Sequence, residues 1–410
     1  MTFRSVRPKF PDATLRSASR VESAALGQPG RLDWLDALRG WAVLGVLMVH
    51  AGNPVPGQGL AKKVAETGQY GVQLFFIVSA LTISMTYESH IARFGTSLRS
   101  QLAWFTKRFF RIAPLYYLAA ILYPIEQLII YDLSHHHYGS ETRISNVIAN
   151  ILFLHTWIPS ANNSVVPGGW SIGVEMFFYL LVPVCWLLVP VRHRVRALGL
   201  VALTFLTVTE LVSKLSTGGY FVGNNTYLYY WFPTEAPVLI IGLVFYFFYK
   251  SELHSQSSSK YSVIWLCGFL GLFLAGVYLG TWKGVMPVAS PTILAFAFIS
   301  LILGLSGWMR AIVGGKLAVF LGRISFSIYI FHFIVLDCLR AVLRIVHFNR
   351  SWPLTLPFLF VVTVVVTSGV ALVSKRAIED PAIGYGHKLS RLIASGLVGA
   401  QAGPAGQTIL

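Results

Sequence analysis

Charge is scarce in this sequence. Only 12% of its 410 residues are Asp, Glu, Lys or Arg, against 55% hydrophobic residues, a balance that excludes an ordinary soluble enzyme. Acidic groups are scarcer still, with 16 Asp and Glu facing 32 Lys and Arg. In a soluble chain that excess would point to nucleic acid. In a chain this apolar, it points to loops that set membrane topology and meet anionic lipid. Cysteine is limited to Cys185, Cys267 and Cys338, each in or beside an apolar run and without pairing or ligand spacing; they read as structural thiols. No internal repeat is visible, which weakens a transporter built from inverted repeats. No apolar run precedes Trp34, so no cleavable signal peptide is expected and the first span doubles as the insertion signal.

What is abundant is apolar sequence in runs that approach the ~20 residues a helix needs to cross a bilayer. The expected fold is an all-α polytopic membrane protein with about ten spans, near 33–53, 70–87, 110–131, 170–189, 197–213, 227–249, 261–279, 289–308, 318–337 and 355–375. A disordered basic tail over 1–30, a membrane domain over 31–381 and a C-terminal tail over 382–410 complete the layout. With the N-terminus inside, 23 Lys and Arg fall in cytoplasmic segments and eight in external ones, which predicts both termini in the cytoplasm. The stretch 147–158 is apolar but too short to span, and is expected as an interfacial or re-entrant segment.

Four stretches carry chemistry. Asp36-Ala-Leu-Arg39 opens the first span and His50 closes it. Eleven residues is three helical turns plus about 20°, and about 16 Å of rise, so Arg39 near the helix entry and His50 near mid-bilayer share a face. Ionisable groups inside a span usually face a cavity; the alternative is a snorkelling arginine and a packing histidine. In Lys107-Arg108-Phe-Phe-Arg111-Ile-Ala-Pro114, Arg108 and Arg111 are i,i+3 neighbours. Two adjacent guanidiniums suit bidentate binding of phosphate oxygens, although positive-inside anchoring alone would also place them there. Pro114 is expected in the first turns of its helix, where a missing N–H costs little.

The third stretch is Gly168-Gly-Trp170-Ser171-Ile-Gly-Val-Glu175-Met-Phe-Phe-Tyr179. Trp170 is expected at the external interface, with Glu175 deeper, serving as a base, orienting an acceptor hydroxyl on the His50 side, or pairing with an arginine. In the fourth, Ser325, Tyr329 and His332 fall at i, i+4 and i+7 as a polar stripe, which helix–helix hydrogen bonding explains as readily as catalysis. His332 is therefore the weaker candidate beside His50. His135-His136-His137 reads as an exposed loop, and no metal site is expected. The stretch Gly71-Val-Gln-Leu-Phe-Phe-Ile-Val-Ser79-Ala80 opens the second span with small residues that permit close packing.

In this order the motifs resemble the acyltransferase-3 family of bacterial membrane acyl transferases, whose members O-acetylate surface glycans. The match runs from about Leu32 to Pro381 and includes R-x10-H, G-V-x-L-F-F-x-x-S, R-x-x-R-I-x-P-x-Y, W-S-x-x-x-E-x-x-x-Y, L-G-x-x-S-x-x-x-Y-x-x-H and Glu379-Asp-Pro381. Two positions depart from the family pattern. Ala80 stands where glycine usually follows the serine, and Asp380 replaces the common arginine before Pro381.

The resemblance implies an O-acyltransferase of the bacterial inner membrane. It would use acyl-CoA, most often acetyl-CoA, as donor substrate and a hydroxyl of a carbohydrate or lipid-linked glycan as acceptor. Arg108 and Arg111, together with Arg39, would meet the coenzyme A phosphates. His50 would be the base or a covalent acyl carrier, assisted by Glu175 and Arg39. Asp36, Ser79, Trp170, Ser171, Tyr179, Ser325, Tyr329 and His332 are accessory candidates. A secondary transporter or an inactive acyltransferase-like partner are the rival readings.

Overall fold

The computed structural model describes residues 33–52, 59–134, 143–215, 227–253, 261–282, 288–305, 307–345 and 355–396. The tail over 1–30, His135 to His137 and residues 397–410 lie outside them. Most of the described residues are helical, with no strand among them. The helices are α1 (Asp33–Gly52), α2 (Leu60–Thr67), α3 (Gly71–Phe94), α4 (Leu98–Ser134), α5 (Ile144–Ile151), α6 (Trp170–Leu188), α7 (Val191–Leu215), α8 (Tyr227–Tyr230), α9 (Phe232–Leu253), α10 (Ser262–Val277), α11 (Ser290–Gly304), α12 (Gly307–Val313), α13 (Lys316–Arg323), α14 (Ser325–Ile345), α15 (Thr355–Ser374) and α16 (Asp380–Ser395).

Among the described residues nine helical stretches are long and apolar enough to cross a membrane. The expected span over 289–308 is α11, whose 15 residues rise only about 22 Å, short of a ~30 Å core. The expected span over 318–337 is two helices, α13 and α14, that meet at Ile324. The reason for the break is close packing against α1. A Cβ on Gly322 would run into the carbonyl of Asp36, and one on Gly40 into the carbonyl of Ala318, so α13 is pressed onto α1 backbone to backbone and the chain turns away afterwards. The expected third span starts too late. α4 begins at Leu98 and runs 37 residues, about 55 Å, so Pro114 lies in its interior instead of its first turns. There it removes the N–H that would bond the carbonyl of Phe110.

α1 is the hub, packed on α2, α3, α13, α14 and α15, while α9 joins α3 to α7 and α11. The core is broad and aromatic, with Tyr70, Tyr87, Trp104, Tyr116, Tyr123 and Tyr179 among its largest buried side chains. Peripheral helices turn their apolar faces outward, as lipid requires: of α7 only Leu198 and Thr209 are buried, while Leu200, Leu203 and Leu211 are exposed. Glu88 of α3 binds Lys250 of α9 at 2.8 Å and accepts from Tyr246.

The segment before α6 does not span. α5 turns Ile144, Ile148 and Ile151 outward and buries Asn146 and Asn150. Asn146 donates to the Ser160 carbonyl at 2.7 Å, and Asn150 accepts from the Tyr116 hydroxyl at 2.7 Å. His155 is fully buried, stacked on Tyr116 and bonded to the Gly169 carbonyl at 2.9 Å. Burial without a counter-charge brings its pKa down to about 4.

Candidate active site

Two polar centres sit at opposite ends of α1. The first is built on Arg39, in the second turn. Its guanidinium takes Asp36 at 2.9 Å, one turn back, and donates to the Thr82 hydroxyl of α3 at 2.7 Å. Asp36 is shared with Arg323 of α13 at 3.8 Å, and Arg323 holds Asp33 at 2.8 Å. Four residues beyond Thr82, Thr86 receives Arg108 from α4. The Arg108 guanidinium lies 5.7 Å from the Trp104 ring centroid and 5.8 Å from that of Tyr179, a cation–π seat that keeps its charge available.

Glu175 completes this first centre. It accepts from the Tyr179 hydroxyl at 2.7 Å, one turn along α6, and its charge acts on both Arg39 and Arg108, as does that of Arg111. Three arginines, two carboxylates (Asp36 and Glu175) and a buried tyrosine thus converge from α1, α4 and α6. This placement answers the sequence expectation for Glu175. The titratable groups that act on His50 are His332 and Arg340, so the carboxylate stands with the arginines and away from the histidine. Trp170, expected at the interface, is 6% exposed. It is edge-on to Phe76 at 6.1 Å and to Tyr229 at 6.2 Å. The turn at Gly168, with φ at +76°, carries the start of α6 into the core.

The second centre lies at the other end of α1. His50 belongs to the last turn of α1. Its ring centroid is 5.1 Å from that of His332 on α14, and Phe333 packs on both, at 4.4 and 4.1 Å. His332 is fully buried. Its Nδ1 lies 2.7 Å from the Tyr329 carbonyl; a carbonyl only accepts, so the proton is on Nδ1 and Nε2 carries a lone pair. Among the described residues neither His332 Nε2 nor His50 Nδ1 has a hydrogen-bond partner. The bare Nε2 of His332 can take up a proton or accept from a hydroxyl, and the unpartnered Nδ1 of His50 lies on the neighbouring, tilted ring. Arg340, paired with Asp337 at 2.7 Å, donates to the His50 carbonyl at 3.1 Å and fixes the end of α1.

The polar stripe of α14 separates into different tasks. Tyr329 donates to the Gly168 carbonyl at 3.0 Å and accepts from Ser171 at 2.8 Å, which ties α14 to the start of α6. Ser325 and Ser79 are buried. Ser327, between the stripe positions, donates to Glu379 at 2.8 Å. Asp380 pairs with Lys375 at 3.0 Å and is half exposed. The methyl of Ala80 faces Gly242 of α9, where a Cβ would lie 2.6 Å from it, so the added carbon is met by a missing one.

Sequence reasoning passed over Thr82 and Thr86, the anchors of Arg39 and Arg108. Their i,i+4 spacing, in phase with Ser79, was the available signal. It also passed over Asp337 with Arg340 and the buried Glu235, which accepts from Gln73 at 3.0 and 3.2 Å. Each is an ionisable group inside an apolar helix, the signal that had singled out Arg39.

Comparison with known proteins places the chain in a family. Residues 32–372 match the family described as an acyltransferase domain. The O-acetyltransferase OatA of Staphylococcus aureus (strain NCTC 8325 / PS 47) is 21% identical over 373 residues, covering 86% of this chain and 57% of its own. A putative acetyltransferase of the Acidianus two-tailed virus is 25% identical over 317 residues, covering 74% of this chain and 83% of its own. A putative O-acetyltransferase of S. aureus (strain COL) is 22% identical over 379 residues, covering 85% and 56%. This chain therefore spans little more than half the length of the staphylococcal relatives. No solved structure matches. With the family's match extending over most of the membrane bundle and both polar centres inside it, the chain belongs to the acyltransferase-3 family.

Proposed function

We propose that the protein is an O-acetyltransferase of the bacterial inner membrane, taking acetyl from acetyl-CoA and passing it to a hydroxyl of a carbohydrate or lipid-linked glycan at the outer side. The observation that carries this reading is the pairing of the arginine centre with the His50–His332 centre along one helix. Their separation on α1, about 16 Å, is comparable with the reach of an extended pantetheine arm. Coenzyme A is polyanionic at one end and thin and largely apolar at the other. Arg39, Arg108 and Arg111 offer forked donors to its phosphates. The thioester would then arrive between the histidines.

There the acceptor hydroxyl gives its proton to an imidazole nitrogen while its oxygen attacks the thioester carbonyl. The C–S bond breaks, and the coenzyme A thiolate takes up a proton. The lone pair of a neutral imidazole nitrogen is what accepts that proton. The relatives named O-acetyltransferase support the same chemistry. Glu175, set among the arginines, holds Tyr179 and balances part of their charge.

The test is mass spectrometry of surface glycans and lipids from cells with and without the gene, and with His50→Ala. Loss of one acetyl increment in the deletion, restored by the parental protein and not by the variant, is expected. An unchanged glycan and lipid profile would refute the reading.

A further inference from the structure

α16 lies beyond residue 372, where the family match ends, yet it is docked against the arginine-bearing part of α4. Gly386 sits on Phe110 with no room for a side chain, and the Tyr385 ring meets the Phe110 ring at 5.2 Å. Ser390, one turn on, is buried, and the C-cap Gly396 (φ +77°) lies beside the guanidinium of Arg99. This packing fixes α16 alongside the turn that carries Lys107 and Arg108.

On the exposed side of α16, His387 and Arg391 are i,i+4 neighbours. The charges that act on His387 are those of Lys107, Arg108 and Arg391, with no carboxylate among them. The acids at the start of the helix, Glu379 and Asp380, are both engaged by Lys375. Packing has therefore brought the cations Lys107 and Arg108 of α4 and Arg391 of α16 around the His387 imidazole, a cluster that an anion would bind. The patch is continuous with the inner arginine centre, because Arg108 belongs to both.

Coenzyme A has two phosphate groupings. The pyrophosphate adjoins the pantetheine arm, and a phosphomonoester sits on the ribose 3′ oxygen, carrying about −1.5 to −2 charges near pH 7 as phosphomonoesters do. A donor whose pyrophosphate meets Arg39, Arg108 and Arg111 leaves that monoester outside the inner centre. We propose that Lys107, His387 and Arg391 form the subsite for the 3′-phosphate of acyl-CoA, so that α16 completes the donor site from outside the family domain. This rests on the acyl-CoA reading above.

The experiment is isothermal titration of coenzyme A and of 3′-dephospho-coenzyme A into the full-length protein in an uncharged detergent. The parental protein is expected to bind coenzyme A about tenfold more tightly than the dephospho form, the scale of one charge-assisted contact. The exposed double variant His387→Gln/Arg391→Gln should bring coenzyme A down to the dephospho level and leave dephospho binding unchanged. Equal binding of the two by the parental protein would overturn the subsite alone. Binding of neither would overturn the acyl-CoA reading and the subsite with it. A double variant that keeps the full preference but purifies with less phosphatidylglycerol would assign the patch to a lipid headgroup, overturning the proposal.

Discussion

Replacing His332 by Asn removes the bare Nε2 while leaving an amide N–H near the place of Nδ1–H, able to keep the bond to the Tyr329 carbonyl. The packing cost is modest, because the hydrogen bond survives and only part of a ring is lost. If His50 and His332 act in one proton-transfer step, each single variant should lower turnover by about 10²–10⁴. At 10³ the barrier rises by about 4 kcal/mol. The double variant His50→Ala/His332→Asn then supplies the measurement of interest. Two residues serving one step are strongly non-additive, so the double should also fall by about 10³, whereas independent contributions would multiply to about 10⁶. The assay is acetyl content of the acceptor over time in cells with matched protein levels, alongside thermal stability in detergent. A folded His332→Asn protein with parental turnover, or a double variant showing the full product, would refute a joint role for the two rings.

Arg108→Lys and Arg111→Lys should each raise the apparent KM for acyl-CoA with topology unchanged, since lysine keeps the charge but loses the fork; donor-dependence kinetics check this, and parental KM values would favour mere anchoring. Glu175→Gln should leave coenzyme A binding intact or tighter, because one negative charge is removed from an anion site, while thermal stability falls as the arginines lose a counter-charge; titration and melting read the two effects. Gly40→Ala drives a methyl into the Ala318 carbonyl, and overpacking of about 1–3 kcal/mol or more should lower the amount of folded protein, measured by fluorescence size-exclusion. His155 makes stability pH-dependent. Its folded pKa of about 4 lies below the ordinary ~6.5, so above pH 6.5 both states are neutral, and as pH falls toward 4 the unfolded chain protonates first. Stability should drop by up to about 3 kcal/mol across that window, and His155→Gln should flatten the melting-temperature profile.

Helix content and most spans were legible because an apolar run of bilayer length has few other solutions. The divided segment at Ile324 was not, since the close approach of Gly322 to Asp36 depends on which helix lies opposite. The i,i+3 spacing of Arg108 and Arg111 and the eleven-residue Arg39–His50 spacing are local facts and could be read directly. Glu175 shows the limit. Its depth could be counted from Trp170, but its partners depend on how α6 packs against α3 and α4, which only the tertiary structure decides. That His332 adjoins His50 was not legible for the same reason, because only tertiary structure brings the two rings together.

The continuity of α1 between Arg39 and His50 makes it a ruler. A helix converts residue count into both distance and phase, so the two centres cannot be re-spaced independently. One inserted residue in this interval would swing His50 by about 100° and carry it off His332. Four inserted residues would nearly restore the phase but lengthen the path by about 6 Å. Point substitutions along the interval are a matter of packing; a change in its length alters the reach demanded of any molecule that must touch both ends.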